Sequence, residues 1–435
     1  MGRGRFFHEK VLHHTRMVHF SSSLSSRRSV LTTITNLLQF VILRASLHQT
    51  DEGGNVMGVA TAVKSVGRAI GNTIEAAIIP TKVQQWYMHY QLAETTLGET
   101  NIPRPFLSQM AELADHIYLT GTRRSHAKST YEGAHALKKE LGALFQNYYQ
   151  VDRFNAATGM FFNTMGPFGA MVASVTLANA ESLQCTVPTS PKSFRYRLFF
   201  VFRGTKTGLA YWDDVSTDLK FLKRDSTIGN KKGDIASGFL STYESCQKEV
   251  VERLLPRGIS YLNAEYGRIA AAFQKPAVAP KPNAAGKSPP PLPPRPASMF
   301  KLSDADIEVY VVGHSLGGAV ATLCAYDLTC KRPRLNPVLV TFGSPPVGNV
   351  DFAVDYQKVM VDTNKFHPHS GYLRSVRIVA KTTGKHADII TSAPDFAPNV
   401  IHVNTKVPLD TNVEGWLSML SAHSIANSYG QGLKQ

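Results

Sequence analysis

The second half of the chain alternates short apolar runs with stretches in which apolar residues recur every three or four positions. The runs are typical of strands buried on both faces, and the periodic stretches are typical of helices. The predicted strands are residues 171–177, 196–202, 307–312, 338–342 and 376–380, and the predicted helices are residues 238–255 with a continuation to 273, and 316–328. This alternation predicts an α/β fold with a mostly parallel central sheet and helices on both faces.

The first part of the chain has a helical pattern instead. Apolar residues at positions 59, 63, 66, 70, 74 and 78 recur at three- and four-residue steps, and similar patterns occur at 106–120 and 134–150. The sequence therefore predicts a helical extension over residues 57–165, followed by an α/β domain over residues 166–435.

Residues 1–56 form a separate basic segment that is rich in serine and arginine. Its first 48 residues contain seven lysines and arginines, one acidic residue, and a cluster of serines at 21–29. This composition is typical of an organellar targeting segment and also of a disordered, dispensable tail, so both interpretations stay open.

Composition narrows the range of functions. The chain has 435 residues, of which 43% are hydrophobic and 18% charged, so a large core is expected and global disorder is not. Its four cysteines form no C-x-x-C pair and no metal-binding spacing, which favours a reducing compartment but leaves one or two disulfides open. The net charge of +15 suits anionic partners such as phospholipid surfaces. Because the chain has no nucleic-acid recognition motif, we expect no nucleic-acid partner.

The most specific motif is GHSLG at residues 313–317, between the predicted strand 307–312 and the predicted helix 316–328. A serine in a tight strand-to-helix turn needs strained backbone angles, and Gly313 and Gly317 leave space around it. The helix N-terminus directs backbone N–H groups toward the reacting carbonyl, so the Leu316 N–H is a candidate oxyanion donor. The motif therefore predicts that Ser315 is a nucleophile.

Four motifs together resemble the class 3 (fungal-type) lipase family over roughly residues 170–430. They are FRGT at 202–205, GFL at 238–240, GHSLGGA at 313–319 and TFGSP at 341–345. The resemblance implies an α/β-hydrolase fold, a Ser-Asp-His triad, and cleavage of carboxylic esters of acylglycerols or phospholipids. Ala236 occupies a position where the family often has a non-catalytic histidine, which indicates divergence within the family.

The strand at 196–202 leads into Gly204 and Thr205, where an α/β hydrolase takes its first oxyanion N–H. The resemblance assigns this role to Thr205, and the alternative is an ordinary strand-ending turn. The following residues, 206–219, lie where the family has its lid. Their aromatic residues Tyr211 and Trp212 either gate the site or simply pack.

The acid of the triad follows the serine in this fold. The candidates are Asp351, Asp355, Asp362 and Asp388. Asp351 and Asp355 lie in a predicted helix and are expected to face solvent. Asp388 follows the strand 376–380 by a loop, and the family's aspartate occurs there, although the loop is longer than usual in this chain. Asp388 is therefore the predicted acid.

The base follows the acid, which leaves His402 and His423. His402 lies in an alternating apolar segment that suggests a strand, whereas His423 lies in a late polar loop before a short helix. A general base is expected on a loop at the carboxyl edge of the sheet, so His423 is the predicted base. The family's terminal histidine, which a tyrosine follows, also matches His423.

Residues 274–298 contain nine prolines and are predicted to be a flexible insertion in the lipase-like domain. The segment that begins at Pro290 and ends at Arg295 fits the P-x-x-P-x-R pattern that binds SH3-type grooves. An unselected spacer is the alternative interpretation.

The sequence as a whole predicts a lipase that hydrolyses acylglycerols through an acyl-enzyme. Ser315 attacks, His423 accepts its proton and Asp388 orients the histidine, so neither a metal nor another cofactor is required. Phospholipase A-type activity and a catalytically silent scaffold that presents the proline-rich loop are the alternatives. The expected partner is a lipid surface, a membrane or a droplet. An intracellular, peripherally membrane-associated protein is favoured, with organellar targeting open.

Overall fold

The structure is a computed structural model. It describes residues 95–119, 149–158, 164–178, 188–204, 222–223, 228–230, 232–274, 301–382, 388, 391, 400–411 and 423–435. The chain divides into two compact units, Met1–Met88 and His89–Gln435, and all described residues belong to the second. The basic N-terminal segment, Thr205 with the predicted lid, and the SH3-type motif lie outside the described residues.

The described residues contain nine β-strands and six α-helices, each numbered in chain order. The strands are β1 (Tyr149–Thr158), β2 (Thr164–Leu177), β3 (Phe194–Phe202), β4 (Leu222–Lys223), β5 (Ile235–Ala236), β6 (Ile307–His314), β7 (Val338–Phe342), β8 (Ser375–Thr382) and β9 (Thr405–Thr411). The helices are α1 (Arg104–Leu119), α2 (Ser237–Lys248), α3 (Leu255–Ala272), α4 (Leu316–Lys331), α5 (Val350–Gln357) and α6 (Gln431–Lys434). Wider helical turns precede α3 (Glu249–Leu254), follow α5 (Lys358–Asp362) and precede α6 (Ile425–Gly430).

Seven strands form the main sheet in the order β1-β2-β3-β6-β7-β8-β9. The pairs β1–β2 and β2–β3 are antiparallel, and every pair from β3 to β9 is parallel. Strands β4 and β5 form a separate two-stranded ribbon. The predicted mostly parallel sheet is therefore confirmed, with an antiparallel hairpin added at one edge.

The first two strands of the sheet, β1 and β2, fall partly within the predicted helical extension over 57–165. That prediction is wrong for residues 149–158 and 164–165, because they form β1 and the beginning of β2. Strand β1 pairs only with β2, so it is an edge strand, and polar residues such as Asp152 and Asn155 alternate irregularly along it. An edge strand of mixed polarity lacks the continuous apolar run that identifies a buried strand.

Both faces of the sheet are buried, as continuous apolar strands require. Alternate residues of β3 point to opposite faces, so that Phe199 packs with Phe106 of α1 while Leu198 meets Gly258 of α3. Strand β6 is buried along its whole length, and α4 is buried on nearly every side from Leu316 to Thr329. A helix that is apolar all round belongs in the interior, and α4 lies against β6 and β7.

Three of the four cysteines, Cys246, Cys324 and Cys330, lie within the described residues and are free thiols. Among the helices that the structure describes, none combines the length and apolarity needed to cross a bilayer.

His367 is a buried histidine in the loop before β8. Its Nδ1 accepts a hydrogen bond from the Ser370 N–H at 3.2 Å, and burial lowers the pKa of His367 to about 4. In the unfolded chain the pKa of histidine returns to about 6.5. At a pH between these two pKa values, His367 is protonated in the unfolded chain but not in the folded one. Folding stability therefore decreases as the pH falls from 6.5 to 4.

The variant His367→Asn tests this linkage, since an amide oxygen can replace Nδ1 as acceptor but does not titrate. We expect the free energy of unfolding of the variant to fall less steeply than that of the wild type between pH 6.5 and 4. The difference in slope should approach about 1.4 kcal/mol per pH unit. Urea titrations at four pH values measure it, and parallel curves for the two proteins would contradict the assignment.

Candidate functional site

The candidate site lies where three neighbouring strands end. Strands β3, β6 and β7 are adjacent and parallel, and the last residue of each pairs close to the end of its neighbour. Because parallel strands end at the same edge of a sheet, the chain leaves all three at one place. The residues found there are Gly204 after β3, Ser315 after β6 and Gly343 after β7.

Ser315 has the strained backbone that the GHSLG motif predicts. Its φ is 57° and its ψ is −132°, a left-handed conformation that is costly for a residue with a Cβ. The turn is fixed by the Ser315 N–H, which donates to the Phe342 carbonyl of β7 at 3.0 Å. A Cβ on Gly313 would clash with the Gly317 carbonyl, and a Cβ on Gly317 would clash with the Phe202 carbonyl. Both glycines are therefore required for the close approach of α4 to the strands.

Leu316 is the first residue of α4, and its side chain is buried. The first N–H groups of a helix have no acceptor within the helix, and the Leu316 N–H is one of these groups. Gly204 lies opposite, with its backbone against the elbow, since a Cβ placed on it would meet the Ser315 Cβ at 2.8 Å. The predicted oxyanion residue Thr205 follows directly in sequence.

Asp388 and His423, the predicted acid and base, lie side by side. The His423 Nδ1 lies 2.9 Å from the Asp388 Oδ2 and 3.1 Å from its Oδ1. The carboxylate is fully buried, and the Tyr429 hydroxyl donates a third hydrogen bond to Oδ2 at 2.6 Å. Burial raises the pKa of Tyr429 well above its ordinary value, with the nearby Asp388 charge adding to the shift. The phenol therefore stays protonated and remains a donor to the carboxylate.

Gly343 joins this pair to the end of β7. It has a φ of 55°, and a Cβ on it would lie 2.8 Å from the Tyr429 hydroxyl, 2.9 Å from the Asp388 Oδ2 and 3.0 Å from the His423 Cε1. The acid, the base and the supporting tyrosine thus converge on one glycine. That glycine follows Phe342, which binds the Ser315 N–H. The serine and the acid–base pair are therefore held by consecutive residues of one strand end.

The other candidates lie elsewhere. His402 is buried with its Nε2 3.1 Å from the Thr391 carbonyl, and burial lowers the pKa of His402 well below its ordinary value. Asp355 is buried rather than solvent-facing, because Tyr326 and Asn230 donate hydrogen bonds to it from other parts of the fold. The two remaining candidate acids, Asp351 and Asp362, are exposed.

Two residues of the site could not be assigned from sequence. His314, within the GHSLG motif, packs its ring 4.6 Å from the ring of His423. Its Nε2 lies 2.6 Å from the His423 carbonyl oxygen, and its Nδ1 lies 2.7 Å from the Tyr118 hydroxyl. The motif contains His314 as its variable position, and nothing in the sequence around Tyr118 marks that residue. No cluster of histidine, cysteine and acidic residues suited to a metal occurs in the part of the chain that the structure describes.

Gly343→Ala tests the convergence of the site on this glycine. The substitution adds left-handed strain and also places a methyl group against Tyr429, Asp388 and His423. Gly371→Ala is a matched control, because Gly371 has a φ of 70° with no atom near its Cβ position. We expect Gly371→Ala to cost roughly 1–2 kcal/mol of stability from strain alone, and Gly343→Ala to cost at least about 2 kcal/mol more. Chemical denaturation measures both, and equal losses would show that the contacts at Gly343 are unimportant.

The match to a known protein family includes the Ser315 turn and the strands on either side of it. Residues 298–397 match the sequence model of the family described as lipase (class 3). A phospholipase A1 of Oryza sativa subsp. indica (EG1, chloroplastic/mitochondrial) is 29% identical over 211 residues, 47% of this chain and 41% of that protein. A lipase of Rhizopus niveus is 32% identical over 113 residues, 25% of this chain and 22% of that protein.

Among solved structures, the LIP2 lipase of Yarrowia lipolytica aligns with a TM-score of 0.40 at 18% identity, over 74% of this chain and 83% of that one. The chain spans less than half the length of the curated relatives it matches. The segment matched by the family covers β6, the Ser315 turn, α4, β7, β8 and Asp388, whereas Gly204, His423 and Tyr429 lie outside it. Residues 298–397 thus resemble the class 3 lipase family, and the mostly parallel sheet that places a serine in a strand-to-helix elbow is that of an α/β-hydrolase fold.

Proposed function

We propose that this protein is a serine carboxylester hydrolase, a lipase that cleaves ester bonds of acylglycerols. The observation that carries the proposal is the pairing of His423 with the buried Asp388, together with the packing of the His423 ring on His314, which precedes the strained Ser315. A histidine oriented by a carboxylate next to an activated serine is the arrangement that acyl transfer requires. The family match and the relatives named lipase and phospholipase A1 support the same class of reaction.

In the first half of the reaction the Ser315 Oγ attacks the acyl carbonyl carbon while His423 takes the hydroxyl proton at Nε2. The carbonyl oxygen becomes an oxyanion, which the N–H groups of Leu316 and Thr205 stabilise. The intermediate collapses to an acyl-enzyme as His423 gives its proton to the alcohol leaving group. Water then attacks the acyl-enzyme with His423 as base again, and the carboxylic acid and free Ser315 are released.

Asp388 fixes the His423 tautomer through Nδ1–H and stabilises the imidazolium that forms in each half-reaction. The Tyr429 hydroxyl keeps the carboxylate in place, because it occupies an acceptor site on Oδ2 that a buried carboxylate would otherwise leave unsatisfied. The chemistry uses proton transfer and hydrogen bonding from protein groups alone.

The substrate class has a second candidate, phospholipase A-type cleavage of phospholipids. The relative with 29% identity over 211 residues is named a phospholipase A1, and the net charge of +15 suits an anionic lipid surface. A membrane or droplet surface is the proposed partner in either case. A silent scaffold that presents the SH3-type motif is the alternative outside enzymes.

Substitutions at the proposed triad test the reaction. Ser315→Ala and His423→Ala should each lower hydrolysis of p-nitrophenyl butyrate by more than about a hundredfold, because each removes a group that acts in the transition state. His402→Ala is the matched control, a buried histidine after the proposed acid whose Nε2 is directed to the Thr391 carbonyl, and it should retain activity once folded. Equal losses at both histidines would leave the base unassigned, and no activity in the wild type would favour the scaffold.

A substrate panel separates the two lipid classes. We expect the wild type to release fatty acid from triacylglycerol and diacylglycerol emulsions, and Ser315→Ala to release none from either, since both reactions use the same serine. Phosphatidylcholine vesicles at matched acyl chain length provide the comparison. A higher rate on the phospholipid than on both acylglycerols would replace the lipase proposal with a phospholipase.

A further inference from the structure

Helix α1 reaches the site through the side chain of Tyr118. Tyr118 lies in its last turn, and its hydroxyl oxygen is 2.7 Å from the His314 Nδ1. The two residues are 196 positions apart in sequence, and α1 lies outside the segment that the lipase family matches. This contact therefore joins a separate part of the chain to the residue that directly precedes Ser315.

The direction of each hydrogen bond around His314 follows from its partners. A carbonyl oxygen only accepts, so the His314 Nε2 carries the hydrogen that it shares with the His423 carbonyl at 2.6 Å. Burial lowers the pKa of His314 well below its ordinary value, with His423 adding to the shift, so the ring is neutral at pH 7. A neutral ring protonated at Nε2 has an acceptor at Nδ1, and the Tyr118 hydroxyl must therefore donate to it.

The Tyr118 hydroxyl also meets the backbone at the end of β3. A Cβ on Gly204 would clash with this hydroxyl and would lie 2.8 Å from the His314 carbonyl oxygen. Burial raises the pKa of Tyr118 well above its usual range, while hydrogen bonding from the Gly204 backbone acts in the opposite direction. The phenol stays protonated. Its oxygen can therefore accept a hydrogen bond from the Gly204 backbone while its O–H donates to His314.

We propose that Tyr118 and His314 are positioning residues, which align the backbone of His423 with the Ser315 elbow and with the strand end at Gly204. The inference rests on the proposed function, since it concerns the base and the oxyanion side of that reaction. The hydrogen bonds run in one direction, from Tyr118 to His314 and from His314 to the His423 carbonyl. A displacement of about 1 Å of a catalytic group costs on the order of a hundredfold in rate, so fixing the main chain of the base is a direct contribution to catalysis.

Neither residue takes part in the chemistry. The His314 nitrogens are both directed to protein groups, so the ring is not a second base. The contact between the rings of His314 and His423, with centroids 4.6 Å apart and planes inclined by 34°, fixes the plane of the base as well as its backbone. Tyr118 acts on the reaction only through His314 and Gly204.

The test uses the full chain with Tyr118→Phe, which removes the hydroxyl and keeps the ring. We expect kcat for p-nitrophenyl butyrate to fall by about tenfold, with KM changed by less than about twofold, because the loss affects alignment and not substrate binding. Tyr356→Phe is the matched control, a buried tyrosine whose hydroxyl lies 2.9 Å from the Ser375 Oγ. It should lose a similar amount of thermal stability and keep its kcat.

A double-mutant cycle and a spectroscopic measurement extend the test. If both residues act through one chain of hydrogen bonds, Tyr118→Phe combined with His314→Leu should lower kcat no further than His314→Leu alone. In protein labelled with ¹⁵N-histidine, the His314 signal, assigned by its loss in His314→Leu, should show a protonated Nε2 and an unprotonated Nδ1. The Nδ1 shift should change in Tyr118→Phe and not in Tyr356→Phe.

The outcomes separate this inference from the proposed function. A wild type that hydrolyses no ester overturns the proposed function, and the positioning role with it. An active wild type with an unchanged kcat in Tyr118→Phe overturns the positioning role alone, as does an equal fall in kcat in Tyr356→Phe. Additive effects in the cycle, or a protonated Nδ1 on His314, would also show that the two residues do not act as one chain.

Discussion

The site depends on the left-handed backbone of Ser315, which is stable only because its neighbours leave no alternative. The residue connects a strand buried along its whole length to a helix buried on nearly every side, so neither element can move to relieve the strain. Gly313 and Gly317 permit contacts that any Cβ would block. The hydrogen bond from the Ser315 N–H to β7 then ties the turn to the strand that also leads to Gly343. Strain at the serine is thus maintained by the packing of the core.

The end of β7 also lies against the acid and the base. The burial of the acid determines which hydrogen bonds this pair must make. A carboxylate at full burial is costly unless its oxygens are hydrogen-bonded, and Asp388 meets this need with His423 and Tyr429. The close approach is possible because Gly343 has no side chain. The arrangement that satisfies a buried charge is therefore also the one that orients the imidazole, so stability and the proposed catalysis favour the same geometry.

How far the sequence predicts the site depends on how local each signal is. The elbow could be predicted because strand, glycines, serine and helix follow one another within a few residues. Asp388 and His423 were identified by chain order and by the resemblance, and the structure places them within hydrogen-bonding distance. Asp355 was misjudged because its partners Tyr326 and Asn230 come from other elements. The strand β1 was missed because it lies at the edge of the sheet, and local polarity does not distinguish it from a helix.

Tyr118 is the residue of the site whose role is hardest to predict from the sequence. Its significance comes from a contact across 196 residues and from the tautomer that a buried histidine must adopt, and neither leaves a pattern in the sequence. Because the His314 ring is neutral and donates at Nε2, only a donor can face its Nδ1, which a phenol satisfies and a carbonyl does not. The requirement arises from the His423 carbonyl and is met by α1, which also covers the core of the sheet. The helix that completes the hydrophobic core is in this way also the element that aligns the proposed base.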